Sequence, residues 1–127
     1  MRTAVVALAA CALFVAVPAA AQDAARGRAL FIHTGGTTGK PVGDCVACHA
    51  NIEALREMIR NRGGRPDDAA SVRRVLQRAI DGAQPGAAGA KAQYRGVLKA
   101  KDLEDLAAYI VRAKVSARRD EDALALR

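Results

Sequence analysis

Apolar positions recur along this chain at helical spacing, and no stretch shows the alternation of a half-buried strand. Ala24 to Ile32 reads as a first helix, with Ala25, Ala29, Leu30 and Phe31 as its apolar positions. Thr34 to Pro41 is turn chemistry and breaks it. Ile52, Leu55, Met58 and Ile59 predict a second helix over Asn51 to Arg60, ended by Gly63-Gly64-Arg65-Pro66. Asp67 or Asp68 can cap a third, whose stripe is Val72, Val75, Leu76, Ala79 and Ile80 and which Gly82 closes. Asp81 to Gly96 reads as a loop rich in Gly and Ala. The last helix is expected to begin near Lys101 and to bury Leu103, Leu106, Ala107, Ile110 and Val111. The pattern is all-α, without an internal repeat.

The N-terminus follows a different rule. Met1-Arg2-Thr3 is a short basic start, Ala4 to Val17 is an unbroken apolar run, and Pro18-Ala19-Ala20-Ala21 supplies small residues before Gln22. This is the pattern of a secretory signal peptide cleaved after Ala21. A membrane anchor is the competing reading, but the run falls short of the ~20 apolar residues a spanning helix needs. The expected organisation is therefore a cleaved signal over 1–21, one domain over 22–115 and a loose tail over 116–127, with no transmembrane segment after cleavage. Cys11 goes with the signal. The destination is the periplasm, an oxidising compartment.

Composition narrows the class. Apolar residues at 51% and charged ones at 26% exclude both a disordered chain and a polytopic membrane protein. Aromatics are only 3%, with no Trp, so side chains alone fill a core poorly. A staple or a large buried cofactor would compensate.

Candidate chemistry is concentrated in Cys45-Val46-Ala47-Cys48-His49. C-x-x-C-H is the attachment signature for c-type haem. Two thiols add to the two haem vinyl groups, and the adjacent imidazole is the proximal iron ligand. A thioredoxin-like redox pair needs a βαβ context that the pattern lacks. A zinc site needs further ligands, and His33 is the only other His of the chain, with no other Cys after the signal. One haem c, held by Cys45 and Cys48 and ligated by His49, is the expected cofactor.

With those residues in view, the chain resembles the small class I c-type cytochromes. Gly27-Arg28-Ala29-Leu30-Phe31 resembles the family's N-terminal helix, Cys45 to His49 its haem box, and Leu103 to Ile110 (LEDLAAYI) its C-terminal helix. The resemblance implies about four helices around one covalently bound haem. It implies terminal helices crossing near perpendicular, with Gly27 allowing close approach and Phe31 and Tyr109 packed at the crossing.

The family places a Met in the loop before the last helix, and here that loop has none; the register falls near Lys91. Several distal sides stay open. Met58 offers a thioether, yet it lies on an apolar stripe and reads more simply as core. It also follows His49 by only nine residues, on a helix rising ~1.5 Å per residue. Lys91 can ligate only as the neutral amine, and its plainer reading is a solvated loop lysine. Gln93 offers an amide. His33 follows the first helix and reads as surface rather than ligand. Water, or an open position, is the last case. The first helix followed by Thr-Gly-Gly and Gly-Lys-Pro resembles high-spin relatives that bind small gases.

Charge bears on partners. With Arg2 gone, 19 basic side chains stand against 13 acidic ones, a net +6. Arg56, Arg60, Arg62, Arg65, Arg73, Arg74 and Arg78 dominate the middle. They read first as a solvated face, and second as a surface that steers an acidic docking face on a redox partner. Nucleic acid fits poorly without aromatic stacking residues. No acid–base constellation suggests an enzyme; the acidic residues read as exposed helical positions and caps, with Asp44 in a turn. The expectation is a periplasmic carrier that passes single electrons between redox proteins. The alternatives are an open-site haem protein that binds or senses gases, and a haem subunit of a larger oxidoreductase complex.

Overall fold

A computed structural model describes residues 22–83 and 91–113. Five α-helices are present among them: α1 (Ala24–Ile32), α2 (Thr34–Thr38), α3 (Ile52–Asn61), α4 (Ala69–Asp81) and α5 (Ala100–Arg112). Single 3-10 turns occupy Cys45–Ala47 and Lys91–Tyr94, and the described residues contain no strand. None of their helices is long and apolar enough to cross a membrane. The signal over 1–21, the tail over 116–127 and the loop stretch 84–90 lie outside the described residues.

Short polar side chains set the helix starts. Asp23 Oδ1 accepts from Arg26 N at 2.9 Å, Asn51 Oδ1 from Ala54 N at 3.0 Å and Asp68 Oδ1 from Ala70 N at 3.1 Å. The Asp102 carboxylate reaches back to Lys99 N at 2.8 Å, which starts α5 one residue before the expected Lys101. α3 ends in a Schellman pair: Gly63 N donates to Arg60 O and Gly64 N to Ile59 O, both at 2.9 Å. Gly63 takes φ +75° there, a conformation a side chain would strain.

The segment after α1 departs from the expected turn. Thr34–Thr38 winds into a short helix instead. Thr34 Oγ1 donates to Leu30 O at 2.6 Å and Thr38 Oγ1 to Thr34 O at 2.8 Å. These hydroxyls bond back to carbonyls four residues earlier, and the segment itself is closed by backbone bonds from Thr37 N to His33 O at 2.9 Å and from Lys40 N to Gly35 O at 3.1 Å.

The core lies where α1, α3 and α4 meet α5. Leu30, Phe31, Ile52, Leu55, Ile59, Val72, Val75, Leu103, Leu106 and Ile110 are buried there. Val111, expected on the buried face, is only half-buried. α1 packs directly on α5. A Cβ on Gly27 would sit 1.9 Å from Asp105 O, so the two backbones touch at that point. Beside it the Phe31 and Tyr109 rings meet at 5.4 Å between centroids, tilted by 52°.

Two groups of charges correct the expectation of solvated faces. Asp102 and Asp105 are buried, not exposed. Arg26 clasps both, Nη1 lying 2.8 Å from Asp105 Oδ2, while Asp23 N and Lys101 also donate to Asp105. Burial opposes ionisation of Asp105. The donors from Lys101, Asp23 and Arg26 outweigh it and hold its carboxyl below the usual range. Arg56, read as part of a basic face, has 0% exposure. Its Nη1 donates to Pro66 O and Ile110 O, both at 3.0 Å, and its Nη2 pairs with Asp67. One buried guanidinium thus ties α3 to the turn before α4 and to the end of α5. Arg60, Arg62, Arg65, Arg74 and Arg78 do face solvent.

Candidate functional site

The Cys45–His49 segment winds so that three consecutive backbone amides are satisfied locally. Ala47 N donates to Asp44 O at 3.2 Å, while Cys48 N and His49 N donate to Cys45 O at 3.3 and 3.1 Å. Cys45 and Cys48 are both free thiols, the first half-buried and the second exposed. Thr34, buried at 0% exposure, pins the segment to α1. Its hydroxyl donates to Leu30 O, accepts from Cys45 N at 3.2 Å and lies 3.3 Å from Cys45 Sγ. A hydroxyl has one proton, so with Leu30 O taking it the Cys45 S–H is the donor in the last contact. Burial pushes the Cys45 thiol up.

These groups open on an apolar cavity of about 280 Å³. Leu55, Met58 and Ile59 of α3 line it on one side, and Val75, Leu76, Ala79 and Ile80 of α4 on another. Leu103, Leu106 and Ile110 of α5 contribute the deeper wall, with Phe31 from α1. Cys45, Cys48 and His49 stand at its edge with Lys91, Gln93 and Tyr94. Its lining is the kind that packs against a large apolar group, in a chain poor in aromatics.

The polar groups around it are ordered. Gly43 is held twice by the 91–94 turn: its N–H donates to Gln93 Oε1 at 2.8 Å, and its carbonyl accepts from the Tyr94 hydroxyl at 2.7 Å. Burial, with the negative charge of the cysteines and Asp44 nearby, pushes the Tyr94 phenol up to about 12. His49 is half-buried, and its imidazole makes no hydrogen bond among the described residues. Burial, then the charge of Lys91, holds it below its ordinary value. A neutral imidazole is the form that binds a metal.

The structure thus brings Cys45, Cys48, His49, Met58, Lys91 and Gln93 to one cavity. Met58 is not core: it is 39% exposed, at the cavity border. His33 stays outside, with its side chain exposed and Nδ1 at 3.6 Å from Asp44 Oδ2. Thr34 and Tyr94 were not among the site residues expected from the sequence. Thr34 was hidden in a stretch of turn residues, and Tyr94 in a loop with no periodic signal.

The donor set fits the expected cofactor better than its rivals. Two unpaired thiols separated by two residues, an imidazole directly after them and an apolar slot suit covalent haem. A thioredoxin-like pair would need strands, and the described residues have none. Nor do they contain a cluster of three or more His, Cys, Asp or Glu suited to holding a bare metal ion. Comparison with family models, curated proteins and solved structures finds no match for this chain.

Proposed function

We propose that this protein is a periplasmic monohaem c-type cytochrome that passes single electrons between redox proteins, and that it is not itself an enzyme. The observation that carries the reading is the placement of Cys45, Cys48 and His49 together at the edge of one large apolar cavity. When bound, haem c supplies a one-electron iron couple. The chain does the rest. Cys45 and Cys48 anchor the group, and His49 gives the iron a nitrogen ligand. Thr34 fixes the Cys45 backbone, and the apolar side chains of α3, α4 and α5 that line the cavity would keep water from the group. Net positive charge favours encounter with an acidic partner surface, an effect that salt weakens.

A second reading, gas binding at an open sixth position, is favoured by one feature: no Met follows Met58 anywhere in the chain. Visible spectra of the purified protein, oxidised and reduced, with and without carbon monoxide, separate the two. The carrier reading expects a low-spin spectrum that ignores carbon monoxide and a potentiometric titration that fits one electron. A high-spin spectrum that shifts with carbon monoxide replaces it with gas binding.

A further inference from the structure

We propose that the side-chain amine of Lys91 is the protein's own distal ligand to the haem iron. This rests on the haem reading above and adds to it what occupies the sixth position. Three observations carry it, two about competing side chains and one about Lys91 itself.

Gln93 is committed elsewhere. Its Oε1 accepts from Gly43 N at 2.8 Å, and Tyr94 of the same turn donates to Gly43 O at 2.7 Å. Gly43 is two residues before Cys45, so these bonds lock the 91–94 turn onto the segment that carries the thiols. Gln93 and Tyr94 are the fasteners, and Lys91 is what they hold at the cavity.

Met58 is poorly disposed. It is 39% exposed, and it belongs to α3, which begins three residues after His49. Lys91 comes from a separate segment beyond α4 and lines the same cavity as His49. A ligand to the face opposite His49 is more simply drawn from a different segment than from the helix continuing from His49 itself.

The side chain of Lys91 is uncommitted among the described residues. It is half-buried beside an apolar cavity, and among the described residues it has neither an ion pair nor a hydrogen bond. As a ligand Lys91 would act as the neutral amine, its ammonium having released one proton to solvent and its nitrogen lone pair being given to the iron.

The test uses the full-length protein carrying its haem, compared with Lys91→Ala, Lys91→Arg, Lys91→Met and Met58→Leu. The wild type should be low-spin and unreactive to carbon monoxide. Lys91→Ala and Lys91→Arg should both turn high-spin and bind it. Arg keeps the charge and the bulk, so a change in that variant is loss of ligation rather than of packing. Lys91→Met should regain a low-spin spectrum, with a sulfur-to-iron charge-transfer band and a higher potential. A high-spin wild type overturns the assignment, as do Lys91 variants that keep the wild-type spectrum, or a spin change in Met58→Leu alone. A wild type without covalent haem overturns the haem reading, and this assignment with it.

Discussion

Gly27→Ala should destabilise the protein even though Ala is the better helix former. In an unpacked helix the change gains about 1 kcal/mol. Here the new Cβ would lie 1.9 Å from Asp105 O, 2.5 Å from Asp105 C and 3.0 Å from Tyr109 Cβ. The first two are backbone atoms of α5 and cannot rotate aside. Ordinary contact begins near 3.4 Å, so α1 and α5 must separate by roughly 1.5 Å at this point. A gap of even 0.5–1 Å forfeits about a quarter to a half of the dispersion well of each contact it opens. Leu30, Phe31, Leu106 and Tyr109 all pack in that neighbourhood. Overpacking costs about 1–3 kcal/mol and sometimes more, and a backbone clash belongs at the top of that range. After subtracting the propensity gain, the net loss is about 2 kcal/mol. Urea unfolding followed by far-ultraviolet circular dichroism measures it. At a slope of about 2 kcal/mol per M, the midpoint should fall by roughly 1 M. Gly36→Ala is the control. The nearest atoms to its Cβ belong to the ring of His33, a largely exposed side chain that can turn aside, so its midpoint should hold or rise with the propensity gain rather than fall. A Gly27→Ala protein as stable as the wild type, or more so, refutes the close approach of α1 and α5.

Two further substitutions test the buried charges. Arg56→Met should lower stability by about 2–4 kcal/mol, because Pro66 O and Ile110 O lose their donor at roughly 1–3 kcal/mol each. Asp67 is largely exposed and regains water, so a loss below about 1 kcal/mol in urea unfolding contradicts the proposed tie between α3 and α5. Asp105→Asn should lower stability at neutral pH and flatten its acid dependence. The folded carboxyl titrates below its unfolded value of about 3.9, so the unfolded chain binds the proton first as pH falls. Its contribution is therefore complete above about pH 4 and lost below it, and an unchanged acid limb in the variant contradicts the clasp.

Much of the architecture was legible in the apolar period. α1 has the expected bounds, α4 and α5 match to within a residue or two, and Asn51 and Asp68 stand where helix starts were read. What escaped the reading was polar and buried. On α3 the inward positions are Ile52, Leu55, Arg56 and Ile59, while Met58 falls beside them. Arg56 fills the slot four residues after Ile52, so helical spacing alone pointed inward there. Its charge argued the other way, and the carbonyls that satisfy it come from residues far away in sequence or across a turn. Asp102 and Asp105 repeat the lesson: both lie on the turns that face α1, where Arg26 and the Asp23 amide compensate them. Of the site, the thiols and His49 were legible because their chemistry depends on local spacing. The roles of Thr34, Gln93 and Tyr94 were not, because each acts through a hydrogen bond to a segment distant in the chain.

The central claim is covalent haem on Cys45 and Cys48. The direct measurement is the mass of the denatured protein, made in a host that exports and matures c-type cytochromes, beside Cys45→Ala/Cys48→Ala. The account predicts a wild type heavier than its processed polypeptide by one haem, with the absorbance travelling with the unfolded chain, and a double variant with neither. A wild type of bare polypeptide mass, or a double variant that keeps denaturation-resistant haem, contradicts it.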